Sequence, residues 1–102
     1  MGSNYDYKII ADPSAELTDK QIRERAEQAF RQSEQAYGNV GYTGSLAEKV
    51  GLGVAIHREK IFDTIREANE HISEVIDGDK WDYADAVFVK GKGWVVGGWC
   101  PT

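Results

Sequence analysis

Two capping boxes constrain the fold of this chain more than any other feature of its sequence. In such a box a threonine accepts a hydrogen bond from the backbone amide three residues later, and the side chain at that position reaches back to the threonine. Thr18 is followed by Gln21, and Thr64 is followed by Glu67, at this spacing. The sequence therefore predicts two helices, the first of which begins near Asp19.

Apolar residues follow each box at the spacing of an amphipathic helix. The buried stripe of the first helix is expected to contain Ile22, Ala26, Ala29, Phe30, Ser33 and Tyr37. The stripe of the second is expected to contain Ile65, Ala68, Ile72, Val75 and Ile76. Gly38 and the pair Asp77-Gly78 are expected to end the two helices, because glycine readily adopts the left-handed conformation of a helix C-terminus.

Four segments favour β-strands, and their order around the helices predicts the fold class. Residues 5–11, 52–61, 83–89 and 94–99 alternate in polarity or are rich in β-branched and aromatic residues. Lys90-Gly-Lys-Gly93 separates the last two segments and predicts a hairpin. The order β-α-β-α-β-β predicts an α+β fold, in which two helices cover one face of a four-stranded, mostly antiparallel sheet and the other face is open.

Length, charge and cysteine content exclude several classes of protein. The 102 residues predict a single domain over residues 1–102, with residues 1–4 disordered or left over from expression. The net charge of −5 argues against direct nucleic-acid binding and favours a basic protein partner. The single cysteine and the two isolated histidines predict neither a disulfide nor a metal site, no cofactor is expected, and the cytoplasm is the expected compartment. No apolar run is long enough to predict a membrane span.

Glycine, hydroxyl, carboxylate and ammonium groups coincide in residues 38–53, which we call the glycine segment. Capping-box spacing within it predicts a short helical turn after Gly44, with backbone amides that point outward. Such amides, with hydroxyls and an ammonium nearby, can hold a phosphate or a carboxylate. The candidate ligand-binding residues are therefore Tyr42, Thr43, Gly44, Ser45 and Lys49. Because the P-loop ending is missing, a plain connection is the alternative interpretation.

His57 offers a catalytic alternative on the strand that follows the glycine segment. An imidazole titrates near neutral pH, so His57 could exchange a proton beside Glu48 or Glu59. Ser45 and Cys100 are nucleophiles by residue type alone, and no motif surrounds either of them. No catalytic residue is predicted. The second hypothesis is a domain that binds, sequesters or transforms a nucleotide- or phosphate-like small molecule, centred on Tyr42, Ser45, Glu48, Lys49 and His57.

Acidic residues dominate residues 63–85, where eight carboxylates stand against two basic side chains. On the second predicted helix they fall at i, i+3 and i+7, so they are expected to share an exposed stripe that continues into the following turn. A solvated helix face is the simpler interpretation, and a docking face for a basic partner is the functional one. The candidate partner-binding residues here are Glu67, Glu70, Glu74, Asp77 and Asp79.

Tryptophan is concentrated in the last quarter of the chain. Trp94 and Trp99 fall on opposite faces of one predicted strand, so at least one of them is expected at a boundary or an interface. Both are candidate partner-binding residues, and a homodimer through the edge at residues 94–99 is a third hypothesis. The pair Gly97-Gly98 predicts a bulge or a close approach of other atoms to this strand.

Three stretches within roughly the last 60 residues resemble small uncharacterised α+β proteins encoded by phages and prophages. They are Tyr42-Thr-Gly-Ser-Leu-Ala-Glu-Lys49, then Trp81 with residues 84–89, then Trp94-Val-Val-Gly-Gly-Trp-Cys100. The resemblance implies a context in which small acidic proteins often inhibit a host enzyme or a defence protein. The expected function is therefore that of a non-enzymatic binding protein that occupies a basic surface in the host cytoplasm.

Overall fold

The computed structural model describes residues 2–37 and 42–102. β1 spans Ser3–Ala11, α1 spans Asp19–Tyr37, a one-turn 3₁₀ helix spans Leu46–Lys49, and β2 spans Val54–Phe62. α2 spans Ile65–Glu70 and continues as a π-helix over His71–Ile76, and the hairpin strands are β3, Ala84–Val89, and β4, Gly93–Pro101. The predicted α+β fold and its order β-α-β-α-β-β are confirmed.

The capping box at Thr18 forms with both of its bonds, and the helix that begins after Thr64 is capped by the Thr64 hydroxyl. The amide of Gln21 donates to Thr18 Oγ1 at 3.2 Å, and the amide of Thr18 donates to Gln21 Oε1 at 2.9 Å. The amide of Glu67 donates to Thr64 Oγ1 at 3.1 Å. These bonds satisfy amides that have no partner within the helix and fix the first residue of each helix. Gly38, the predicted end of α1, lies outside the described residues.

The second helix departs from the predicted periodicity after Glu70. The amide of Asp77 donates to the carbonyl oxygen of Ile72 at 3.0 Å, which is the i→i+5 bond of a π-helix. Because this wider turn rotates each residue less, the 3.6-residue stripe ends early. Val75 was expected on that stripe and is instead 69% exposed. Asp77 itself adopts the left-handed conformation that ends the helix, with φ of 46°.

The sheet has the strand order β1-β4-β3-β2, with β4 antiparallel to both neighbours and β2 parallel to β3. Since β4 pairs on both sides, the dimer edge predicted at residues 94–99 is wrong. Ser3 pairs with Pro101 and Asn4 with Cys100, so these two residues, expected to be disordered or left over from expression, begin β1.

The two helices lie on opposite faces of the sheet, so the prediction of one covered face and one open face was wrong. Successive strand residues point to opposite faces. α1 packs in one apolar cluster with Ala86 and Phe88, whereas α2 packs in another with Val87 and Val89. All six residues of β3 are buried for this reason. An apolar run without alternation is typical of a strand that is covered on both faces.

Candidate partner-binding surface

The hydroxyl and carboxylate groups of the glycine segment bond to one another. Thr43 Oγ1 lies 2.7 Å from Ser45 Oγ and donates to Glu48 Oε2 at 2.9 Å. The amide of Thr43 donates to the same carboxylate oxygen at 3.2 Å. Ser45 and Glu48 therefore stabilise the 3₁₀ turn through bonds within the segment.

The backbone amides after Gly44 have acceptors inside the protein. The amide of Leu46 donates to Asp6 Oδ2 at 2.9 Å, and the amide of Ala47 donates to Ser45 Oγ at 3.2 Å. Gly44 has φ of 66° and donates its own amide to the carbonyl oxygen of Pro101 at 2.8 Å. The anion site predicted from these amides is therefore not formed.

Lys49 is fully buried, which removes the cation of the predicted ligand site. Its ammonium donates to the carbonyl oxygens of Asp82 at 2.6 Å, Lys80 at 3.3 Å and Asp79 at 3.4 Å. Burial lowers the pKa of the Lys49 amine below its ordinary value, and nearby acidic groups, Asp85 among them, act in the opposite direction. Lys49 is a structural residue that holds the backbone of residues 79–82, which we call the Lys49-held turn.

The Lys49-held turn presents Trp81 to solvent beside Tyr42. The two side chains are 50% and 49% exposed, and their rings pack edge to face with centroids 5.3 Å apart. The amide of Trp81 donates to Asp79 Oδ1 at 2.9 Å, and the amide of Asp82 donates to the carbonyl oxygen of Asp79 at 3.1 Å. Of the predicted ligand-binding side chains, Tyr42 is thus the one placed at an aromatic surface.

All five acidic candidates for partner binding are exposed, and we call them the acidic surface. They lie on α2, on the π-helix and on the turn after it: Glu67, Glu70, Glu74, Asp77 and Asp79. Glu70 accepts a hydrogen bond from Arg66 Nε at 3.0 Å, and Glu67 accepts one from the Thr64 hydroxyl at 3.0 Å. An exposed pair such as Arg66 and Glu70 is worth little to folding, so this surface is not explained as a stabilising network.

The two other candidates, Trp94 and Trp99, are not free surface groups. Trp94 is 1% exposed, and its indole donates to Asp12 Oδ2 at 3.0 Å, so its assignment to partner binding was wrong. Trp99 is half-buried and donates its indole hydrogen to the carbonyl oxygen of Ser73 at 3.1 Å. Trp99 therefore occupies the expected boundary position and fastens the π-helix to the sheet.

Asp12 is the buried acceptor that fixes Trp94 below α1. It also accepts the amides of Glu16 at 2.8 Å and Leu17 at 3.1 Å. Burial acts to raise the pKa of the Asp12 carboxyl, but these amides and the indole outweigh it, so the pKa lies below its ordinary value of 3.8. Three donors thus hold the segment between β1 and α1 in place.

His57 and Asp85 form a polar pair on the sheet face that α2 covers, and this pairing was not predicted from the sequence. His57 Nε2 is 3.0 Å from Asp85 Oδ1, and the Asp85 side chain is only 5% exposed. Burial raises the pKa of the Asp85 carboxyl, and the bond from His57 acts to lower it. His57 Nδ1 is 3.5 Å from Glu59 Oε1, one of its two predicted neighbours, whereas Glu48 is engaged with Thr43.

The pair Gly97-Gly98 lies beside this polar group. Gly97 stands opposite Asp85 in the sheet, and a Cβ atom on Gly97 would overlap the hydroxyl of Tyr5, which donates to Asn69 Oδ1 at 2.6 Å. The predicted close approach is confirmed, and β4 keeps a continuous register without a bulge. An aspartate within an apolar strand run was the sequence signal for a buried polar partner.

Neither known proteins nor the described side chains indicate a cofactor site or a membrane span. Comparison with protein-family models, with curated proteins and with solved structures gives no match. Within residues 2–37 and 42–102, no group of three or more histidine, cysteine or acidic side chains is arranged to hold a metal ion. None of the helices in this described part has the length and apolar character of a membrane span.

Proposed function

We propose that this protein is a non-enzymatic binding protein whose acidic surface docks on a basic surface of another protein. The observation that carries the proposal is the exposure of five carboxylates on α2, the π-helix and the following turn. Only two basic residues occur in residues 63–85, so the negative charge there is not balanced locally. Carboxylates arranged in this way steer a positively charged partner and favour one orientation of docking.

An apolar anchor accompanies the charged residues, as in most specific protein interfaces. Trp81 lies two residues after Asp79 and is half exposed. Charged groups at the rim of an interface mainly set the association rate, whereas a buried aromatic anchor sets the dissociation rate. The acidic surface and Trp81 together supply both contributions.

The resemblance to phage and prophage proteins extends the proposal to inhibition. The basic surface would belong to a host enzyme or a defence protein, and it would be one that otherwise binds nucleic acid. Occupying such a surface requires negative charge and no catalytic group. The protein would then act in the host cytoplasm.

Matched charge variants test the proposal by affinity capture from a bacterial lysate. The triple variant Glu67→Gln, Glu70→Gln, Glu74→Gln removes three charges of the acidic surface and keeps an acceptor at the capping-box position. Its control is the triple variant Glu16→Gln, Glu24→Gln, Glu34→Gln. It changes the net charge by the same amount, at positions that lie on α1 or just before it.

We expect the wild type and the control triple to capture the same basic protein, and the α2 triple to lose it. Capture should also weaken as salt is added, because screening reduces attraction between exposed charges. Equal capture by both triple variants would contradict the assignment of the acidic surface as the docking site.

A further inference from the structure

We propose that Tyr42 and Trp81, with the carboxylates of Asp79 and Asp82, form a recognition site for an arginine side chain of the partner. This inference rests on the proposed function and names the group that the acidic surface would recognise. The site lies on the Lys49-held turn, at the end of the acidic surface. Four observations support it.

The first observation is the geometry of the exposed aromatic pair. Tyr42 and Trp81 are each about half exposed, yet their rings pack edge to face at an interplanar angle of 78°. An edge-to-face contact restricts the orientation of both rings, and about half of each side chain remains exposed. A ring held in this way loses little conformational entropy when a ligand packs on it.

The second observation is the rigidity of the backbone beneath Trp81. The Lys49 ammonium bonds to the carbonyl oxygens on both sides of Trp81, those of Lys80 and Asp82. Lys49 has no exposed surface and is therefore not exchanging its partners with water. The turn is held from inside the protein, and its aromatic side chain is directed outward.

The third observation is that Trp81 already contacts a cation of its own chain. Lys80 Nζ lies 5.5 Å from the centre of the Trp81 ring, within the range of a cation–π interaction. The same ammonium donates to the carbonyl oxygen of Gly2 at 3.1 Å. The ring face is therefore accessible to a positive charge, and an incoming side chain would compete with Lys80 for it.

The fourth observation is charge complementarity. Asp79 and Asp82 flank Trp81 in the chain, and both are exposed. A guanidinium is planar, so it can stack on an indole and donate in its own plane to neighbouring carboxylates. An ammonium cannot do both, because it is a compact and strongly hydrated charge. These properties favour arginine over lysine as the occupant.

A titration followed by NMR tests the site with a defined probe, an acetylated and amidated peptide of alternating glycine and arginine. The chain has three indole N–H signals, and those of Trp94 and Trp99 are internal controls because each is bonded within the protein. We expect the Trp81 indole signal to shift to saturation while the other two stay in place.

Substitutions give the size of the effect. Trp81→Leu should weaken binding of the arginine peptide about 3-fold or more, as loss of an exposed cation–π contact does. Tyr37→Leu is the control, since Tyr37 is an aromatic residue with 62% exposure at the end of α1, and it should leave binding unchanged. A peptide with lysine in place of arginine should bind more weakly.

Lys80→Gln should tighten binding, because it removes the cation that competes for the Trp81 ring. The matched control is Lys20→Gln, which removes the same charge from an exposed position on α1. Tightening in the first variant must exceed that in the second, since the effect on net charge is the same in both. Equal tightening would overturn the competition for the ring.

The outcomes separate this inference from the proposed function. If the triple substitution of Glu67, Glu70 and Glu74 weakens binding of the arginine peptide and Trp81→Leu does not, the arginine site is overturned and the acidic surface stands. If Trp81→Leu weakens binding and the triple does not, the arginine site stands and the docking role of the α2 charges fails. Equal binding of lysine and arginine peptides would overturn the choice of a guanidinium.

Discussion

Replacing Lys49 by methionine removes the ammonium from beneath the Lys49-held turn and keeps an unbranched side chain of similar length. The apolar stem of Lys49 packs against Gly98, and a methionine side chain can keep most of that packing. Three carbonyl oxygens lose their donor, and only water can replace it. The variant thus isolates the contribution of the ammonium to the turn.

The expected magnitude follows from the three distances. The bond to the carbonyl oxygen of Asp82 is short, at 2.6 Å, whereas the other two are 3.3 Å and 3.4 Å long. A hydrogen bond to a charged group contributes about 1.5–3 kcal/mol, and the longer two contribute less. Part of this gain is offset by the cost of burying an ammonium. We expect the free energy of unfolding to fall by about 2 kcal/mol.

Urea denaturation followed by tryptophan fluorescence measures this change. With a slope of about 1 kcal/mol per molar for a small domain, the midpoint should fall by roughly 2 M. Lys92→Met, at an exposed lysine of the hairpin turn, should leave the midpoint unchanged. Hydrogen exchange at the Trp81 amide should accelerate in Lys49→Met alone. An unchanged midpoint together with unchanged exchange would refute the role of Lys49 as the support of this turn.

Three further predictions concern the buried polar groups. Asp12→Ala should lower the free energy of unfolding by about 3 kcal/mol at pH 7, because the buried Trp94 indole loses its acceptor. The difference in free energy of unfolding between this variant and the wild type should shrink in acid. The stability that the ionised Asp12 carboxyl contributes is present above its unfolded pKa of 3.8 and is lost as the pH falls through its lower folded pKa. Urea denaturation at pH 7 and at pH 3 measures this difference. Gly97→Ala should lower stability by about 1–3 kcal/mol in thermal denaturation, because its Cβ would overlap the Tyr5 hydroxyl. The stability of Asp85→Asn relative to the wild type should increase as the pH rises from 4 to 7. The folded pKa of Asp85 is raised above 3.8, so the wild type loses stability as this carboxyl ionises, whereas asparagine does not ionise. A melting-temperature difference that does not change with pH would contradict this last prediction.

The features that depend on neighbouring residues could be predicted from the sequence. The box at Thr18 and Gln21 places the start of α1, and the Lys90-Gly-Lys-Gly93 turn places the β3–β4 hairpin. Both signals act over three or four residues, so the local sequence contains all of their determinants. The exposed carboxylates of the second helix were predicted for the same reason.

The pairing of distant segments could not be predicted in this way. Periodicity alone does not reveal that β4 pairs with β1, or that α1 and α2 cover opposite faces. The apolar run of β3 was the available signal for two covered faces, since only a strand buried on both sides loses its alternation.

The glycine segment shows the same limit at the level of the site. Its residue types suit an anion, but Lys49 and the amides of Gly44 and Leu46 bond to acceptors from distant parts of the chain. A lysine is expected to be exposed when only the sequence is known, because most lysines in folded proteins are exposed. Its burial here depends on residues 79–82, which lie some thirty positions away.

The central claim is that the partner docks on the acidic surface and the Lys49-held turn. Its most direct test is chemical-shift mapping of the isotopically labelled protein in complex with the captured basic protein. The account predicts that the perturbed amides concentrate in residues 67–83, with those of α1 unchanged. Perturbations concentrated on α1 or along β1, with residues 67–83 unaffected, would contradict it.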